Sequence, residues 1–201
     1  MSIPTPQAIA QAAAALIVEE GMEIGPAKRQ ALKQLGLRPQ TPLPDNRTVE
    51  DAVREHIQIF RAQEQPQELR ALREIALQWM DRLAEFSPLI GGALWNGTAT
   101  RHSAIHLQLF HDDPKALPIT LLNQGLSFET EEAPGLGGQA TEVLILEHPT
   151  REPCLDGSAL IALWNNPAQA LRGALLPDKD GRAPRGTAQS LRDNMAAGEA
   201  P

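Results

Sequence analysis

The segment GGALWNGTATRHSAIHL, residues 91–107, carries the residue types and spacing with the most chemical potential. Gly91 and Gly92 open it, Gly97 follows, and Ser103 precedes an alternation of small or polar with apolar side chains from Ala104 to Leu109. A glycine turn lets the backbone approach a ligand closely, and its N–H groups can cradle an anion. The alternation has the period of a strand. Residues two apart on a strand share a face, so Ala104, His106 and Gln108 lie on one side. Ile105, Leu107 and Leu109 form the opposite, core-facing side. A histidine and a glutamine on one face suit a pocket or a solvated sheet surface, and both readings stand.

The other reactive side chains give weaker patterns. His102, His106, His111, Asp112 and Asp113 cluster in sequence, but their spacing fits no standard metal-ligand pattern. A strand would also send His106 and His111 to different faces, so no metal site is assigned. Asp112 and Asp113 precede a helical stretch and read as caps. Cys154 is the only cysteine, beside Pro153, which excludes an internal disulfide and a cysteine-based zinc site. No convincing Ser-His-Asp arrangement and no Walker-type loop is present.

Residues 91–107 resemble the signature of the nucleotidyltransferase fold: a Gly-Ser or Gly-Gly turn, a later glycine, then Ser-Asp-apolar-Asp-apolar on a strand. Gly92 and Ala93 stand at the Gly-Ser pair, Gly97 at the later glycine, and Ser103, Ile105 and Leu107 at the serine and the two apolar positions. The resemblance covers roughly residues 68–132, and the wider chain resembles bacterial hypothetical proteins with such a core. It implies nucleotide binding by Gly91, Gly92, Gly97, Thr98, Ser103, His106 and Gln108. In the family two strand carboxylates hold a pair of magnesium ions that stabilise the oxygens of in-line phosphoryl transfer. Here those positions are Ala104 and His106. Alanine coordinates nothing, and imidazole is a poor ligand for magnesium. The third family carboxylate, on a following strand, falls to Glu129, with Glu131 on the same face; these two are the catalytic candidates. No cofactor is implied for a degenerate protein, and Mg²⁺ is implied if the protein is active.

The elements that position this segment follow from periodicity and punctuation. Residues 6–35 read as two helices broken at Gly21 and Gly25, with Pro26 in the first turn of the second and Gly36 capping it. Pro39, Pro42 and Pro44 mark a stiff linker. Thr48 and Asp51 suggest a capping box for a third helix, and Pro66 opens a fourth with Leu69, Leu72, Ala76, Trp79, Leu83 and Phe86 in one stripe. Strands are expected at 88–92, 104–110, 126–131, 141–148 and 158–164, and helices at 114–124 and 167–172. The turn-rich loop between the third and fourth strands contains Pro134, Gly135, Gly137 and Gly138. The fold class is α+β: an N-terminal helical region, then a small mixed sheet with flanking helices. The domains read as residues 1–47, a helical region with a proline-rich linker; 48–176, the nucleotidyltransferase-like domain; and 177–201, a partly ordered tail.

Composition narrows the function classes. Of 201 residues, 42% are hydrophobic and 21% charged, which suits a folded protein. A formal net charge of −7 argues against coating nucleic acid over the whole surface. With only 3% aromatic residues, a stacking platform for single strands is not expected. The start MSIPTPQAIAQ lacks the pattern of a signal peptide and no apolar run is long enough to span a membrane, so a cytoplasmic protein is expected. The leading function is a nucleotidyltransferase-like pseudoenzyme that binds a nucleotide or nucleic acid, or regulates a protein partner. One alternative is an active metal-dependent nucleotidyltransferase with non-standard carboxylates. Another is a helix-turn-helix regulator with an α+β sensor domain, in which Lys28, Arg29 and Lys33 would meet phosphates. The tail cations Lys179, Arg182, Arg185 and Arg192 are interleaved with acids and read as a solvated end.

Overall fold

The protein is described here from a computed structural model that covers residues 6–178 and 181–198. It divides into two compact units. The first runs through Leu69 and also includes Thr98–Ser103; the second comprises Arg70–Gly97 and the chain from Ala104 onward.

The first unit is helical. α1 (Pro6–Glu20), α2 (Ile24–Gln34) and α3 (Asn46–Phe60) bury small and β-branched side chains against one another, among them Ile9, Ala13, Ala31, Val49 and Val53. Alanines at these contacts let the helix backbones approach closely. Gly21 turns the chain between α1 and α2 with φ +67°, and a Cβ there would run into the carbonyl of His102. α3 starts two residues before the expected capping box. Asp45 is its N-cap, and its Oδ1 accepts the Thr48 N–H at 2.7 Å. That bond holds the Asp45 carboxyl below the usual range. Asp51 pairs instead with Arg54 at 3.1 Å. Bonds that hold Thr98–Ser103 here include Thr100 Oγ1 to the Val18 carbonyl at 3.1 Å, Gln65 Nε2 to the Ala99 carbonyl at 2.8 Å, and the Arg101 N–H to Glu68 Oε2 at 3.0 Å.

The second unit is built on a six-stranded mixed sheet, so the class is α+β. Its strands are β1 (Leu89–Gly91), β2 (Ile105–His111), β3 (Glu129–Pro134), β4 (Ala140–Pro149), β5 (Ser158–Pro167) and β6 (Arg185–Gly186), in the spatial order β3-β4-β5-β2-β1-β6. β2 and β5 are parallel at the centre, and every other pairing is antiparallel. One face carries the fully buried Ile90, Ile105, Leu107, Leu109, Leu144, Ile161 and Leu163. α4 (Gln65–Arg82) faces it: the Trp79 indole N–H donates to His148 Nδ1 on β4 at 3.3 Å. Of the expected stripe, Leu72, Ala76 and Trp79 are buried within α4 and Leu69 is partly buried; Leu83 and Phe86 are buried too but lie beyond the helix end. α6 (Ala116–Asn123) contributes Leu117 and Leu121 to the core. Its N-cap position is Lys115, not an aspartate; Asp113 accepts the Lys115 N–H at 2.9 Å in the preceding turn.

The opposite sheet face carries His106, Gln108 and Phe110 on β2 and Ala162, Trp164 and Asn166 on β5. It is covered only in part. Leu136 of the β3–β4 turn, and Ala170, Leu171 and Ala174 after β5, pack against Leu89 and Phe110. Leu171 opens the short α7 (Leu171–Ala174). The expected tail is more regular than its composition suggests. β6 joins the sheet edge beside β1, and α8 (Ala188–Ala197) follows, capped by the Thr187 hydroxyl, which accepts the Ser190 N–H at 3.2 Å. Lys179 and Asp180 lie outside the described residues.

Candidate functional site

Gly91 ends β1 in extended conformation, and Gly92, at φ +64°, starts the five-residue helix α5 (Gly92–Asn96). Gly97, at φ +77°, closes it. The expected glycine turn is thus a strand, one left-handed residue and one turn of helix. Arg73 fixes its far end: the buried guanidinium donates to the carbonyls of Leu94 at 2.9 Å and Trp95 at 3.3 Å. Burial holds the Arg73 pKa below the usual arginine value. On the other side, Gly186 lets the Trp95 ring pack against β6; a Cβ there would overlap the ring.

His106 and Gln108 share the partly open face, as alternation requires. Ala104 immediately precedes β2. Neither polar side chain is loose. The Trp164 indole N–H donates to His106 Nδ1 at 3.1 Å, and Asn166 Nδ2 donates to Gln108 Oε1 at 2.8 Å. Thr98 and Ser103 belong to the helical unit. Thr98 is buried there, and Ser103 Oγ accepts the Thr100 N–H at 3.0 Å within its own turn.

Glu129 and Glu131 share this sheet face but not the position of His106. Register places Glu129 beside Ile145, Ile145 beside Ala162, and Ala162 beside His106. Two strands therefore intervene, a separation of roughly 14 Å at the usual strand spacing. Both glutamates are exposed on the edge strand. Of the two strands beside β2, β5 offers Ala162, Trp164 and Asn166 on this face and β1 offers Leu89 and Gly91, none of them a carboxylate. Magnesium requires hard oxygen ligands, and these residues do not fit it. Among the described residues, no three His, Cys, Asp or Glu side chains are grouped to hold a metal ion.

The partly covered face holds an open cavity of about 720 Å³. Gln108 and Trp164 line it from the sheet centre, Pro134 from the end of β3, Leu136 from the β3–β4 turn, Gln169 from the segment after β5, and Arg185 from β6. Arg185 enters through the edge pairing of Gly91 with Arg185. Gly91 makes room for it, since a Cβ there would sit 3.1 Å from Arg185 Cγ. The sequence reading names Gln108, but it leaves Trp164 in a strand, the 134–138 loop as a turn, and Arg185 in a solvated tail. No local signal marks Arg185, because β6 is only two residues long and reaches the site by pairing with a distant strand.

In the helical unit, Lys28 is engaged: its ammonium donates to the Pro44 carbonyl at 3.0 Å and to Asn46 Oδ1 at 2.7 Å. Arg29 and Lys33 are exposed. Among the described residues, no helix is long and apolar enough to cross a membrane.

The fold and the cavity define an α+β protein with a ligand-sized hollow on one face of a mixed sheet. No family model and no curated protein matches the chain. Among solved structures it is similar to Cid1 in complex with its short product ApU, at 21% identity and a TM-score of 0.33, over 57% of this chain and 34% of Cid1. It is also similar to Cid1 in complex with the UTP analogue UMPNPP, at 16% identity and a TM-score of 0.33, over 57% and 36% of the two chains. A third Cid1 structure, concerned with its RNA terminal uridylyl transferase activity, gives 17% identity and a TM-score of 0.35 over 63% and 39%. The matched region thus spans little more than a third of Cid1, and a likeness this partial carries no conclusion about chemistry.

Proposed function

We propose that this is a nucleotidyltransferase-like protein that binds a nucleotide or nucleic acid, or regulates a partner, without transferring nucleotides. One observation carries the reading. The two positions that would hold metals are Ala104, just before β2, and His106 on it, and the same-face positions on the neighbouring strands are Ala162, Trp164 and Asn166 of β5 and Leu89 and Gly91 of β1. Transfer needs charge neutralisation of the phosphoryl group and of the leaving pyrophosphate in the transition state. Without clustered carboxylates, that charge has no metal to meet. Binding asks for less: backbone N–H groups near Gly92 and hydrogen-bonding side chains on the sheet face suffice. Glu129 and Glu131 are poorly placed for an active alternative, because two strands separate them from β2.

Calorimetry with ATP, with and without Mg²⁺, and a labelled-nucleotide transfer assay test the proposal. The wild type is expected to bind without transferring. The double variant Ala104→Asp/His106→Asp is expected to raise Mg²⁺ affinity. Robust Mg²⁺-dependent transfer by the wild type would falsify the reading and return the catalytic role to carboxylates such as Glu129 and Glu131.

A further inference from the structure

The charge pattern of the cavity runs opposite to that of the protein. The chain carries a formal net charge of −7, yet among the described residues no Asp or Glu lines this cavity and Arg185 is the one formal charge there. Register puts Arg185 on the same sheet face as Gln108 and Trp164: Arg185 pairs with Gly91, and Leu89, two residues from Gly91, pairs with Gln108. The guanidinium is half-buried, and burial holds its pKa below the usual arginine value. Among the described residues it makes one hydrogen bond, from Nη1 to the Ala174 carbonyl at 3.1 Å, and no ion pair. A guanidinium has five N–H donors in a fork that matches phosphate. A partly desolvated cation without an acid is costly, and an anionic ligand would relieve that cost.

The neighbouring polar groups point the same way. Gln108 Oε1 is taken by the Asn166 amide at 2.8 Å, which leaves the Gln108 Nε2 donors for the cavity. Asn166 is itself fully buried: the carbonyls of Leu109 and Trp164 share its two N–H protons with Gln108 Oε1, which sets the orientation of the amide pair, while Asn166 Oδ1 has no partner. The Trp164 N–H is spent on His106, which leaves its ring as an apolar wall. The volume of about 720 Å³ suits a small organic ligand.

We infer that this cavity is a metal-independent binding site for a phosphate-bearing small ligand, with Arg185 supplying the counter-charge and Gln108 a second donor. The inference deepens the nucleotide-binding reading and names the group that recognises the phosphate.

The test is calorimetry on the full chain with ATP, inorganic pyrophosphate and inorganic phosphate, each in EDTA and in Mg²⁺. The variants are Arg185→Gln, Arg185→Lys and Gln108→Glu, with the exposed Arg172→Gln as control. Gln108→Glu keeps the acceptor for Asn166, so it tests the site even where loss of the Ala174 contact unfolds the Arg185 variants. Binding of ATP and pyrophosphate is expected to be the same in EDTA and Mg²⁺. It should weaken about tenfold or more in Arg185→Gln and Gln108→Glu, the scale of a lost charge-assisted hydrogen bond, with partial retention in Arg185→Lys. ATP binding that needs Mg²⁺, or that persists in Gln108→Glu and folded Arg185→Gln, overturns the inference and leaves the nucleotide reading standing. Pyrophosphate binding that depends on Arg185, without ATP binding, overturns the nucleotide reading alone. No binding of any of the three overturns both.

Discussion

Leu107→Ala is the sharpest test of how β2 is oriented. Leu107 is 0% exposed, between Ile90 on β1 and Leu163 on β5, both also fully buried. Truncation removes buried methyl groups at the centre of the sheet, where paired strands on both sides limit collapse into the void. The expected cost is about 2–5 kcal/mol, transfer and cavity terms together. For a unit of this size that corresponds to a fall in Tm of roughly 5–20 °C. The assay can be confined to the right unit. The three tryptophans, Trp79, Trp95 and Trp164, all belong to the sheet-containing unit, so their fluorescence follows its unfolding without signal from α1–α3. Leu160→Ala is the control: Leu160 is 45% exposed, beside the fully buried Ile161, and its loss should move stability by less than about 0.5 kcal/mol. A Tm shift for Leu107→Ala no larger than the control's would show that the apolar set of β2 faces solvent, and the whole register argument would fall with it.

Three further outcomes are expected. Gly186→Ala should destabilise the sheet unit by about 1–3 kcal/mol and shift Trp95 emission, because the new methyl group meets the indole ring; unchanged emission would place Trp95 elsewhere. Arg73→Ala should cost roughly 1–3 kcal/mol, because the Leu94 and Trp95 carbonyls lose their donor, and should loosen α5; Arg73→Lys, a single-point donor, should restore only part of the loss. Burial first, and then the charge of Arg82, hold the His148 pKa below the ordinary imidazole value of 6.5. Between that value and its folded pKa, the unfolded state binds more protons than the folded state, so stability rises with pH across the window and is lost on acidification. Urea midpoints of the wild type should therefore fall as the pH is lowered through that range, and His148→Gln, which cannot titrate, should flatten the slope; equal slopes would assign the effect to other groups.

Periodicity was enough where burial is one-sided. The alternation from Ile105 to Leu109 could be satisfied only by a strand with its leucines inward, and the three-and-four spacing of Leu72, Ala76, Trp79 and Leu83 only by a helix with one apolar stripe. The α+β class follows from those local periods. Helix starts were less legible, because Asp45 and Thr48 can both cap and only geometry shows which oxygen receives the N–H. Strand order lies further out of reach. Glu129 and His106 are consistent with one site as long as β3 is free to neighbour β2, and it is the pairing order that puts β4 and β5 between them. Arg185 shows the same limit from the other side. Its flanking prolines, glycines and charges are those of a solvated tail, yet two residues of edge pairing with β1 bring it over Gly91 and into the cavity. Side-chain period is a property of the local chain, so the sequence alone determines which way each residue faces. Which strands become neighbours depends on the packing free energy of the whole sheet, and that the tertiary structure alone decides.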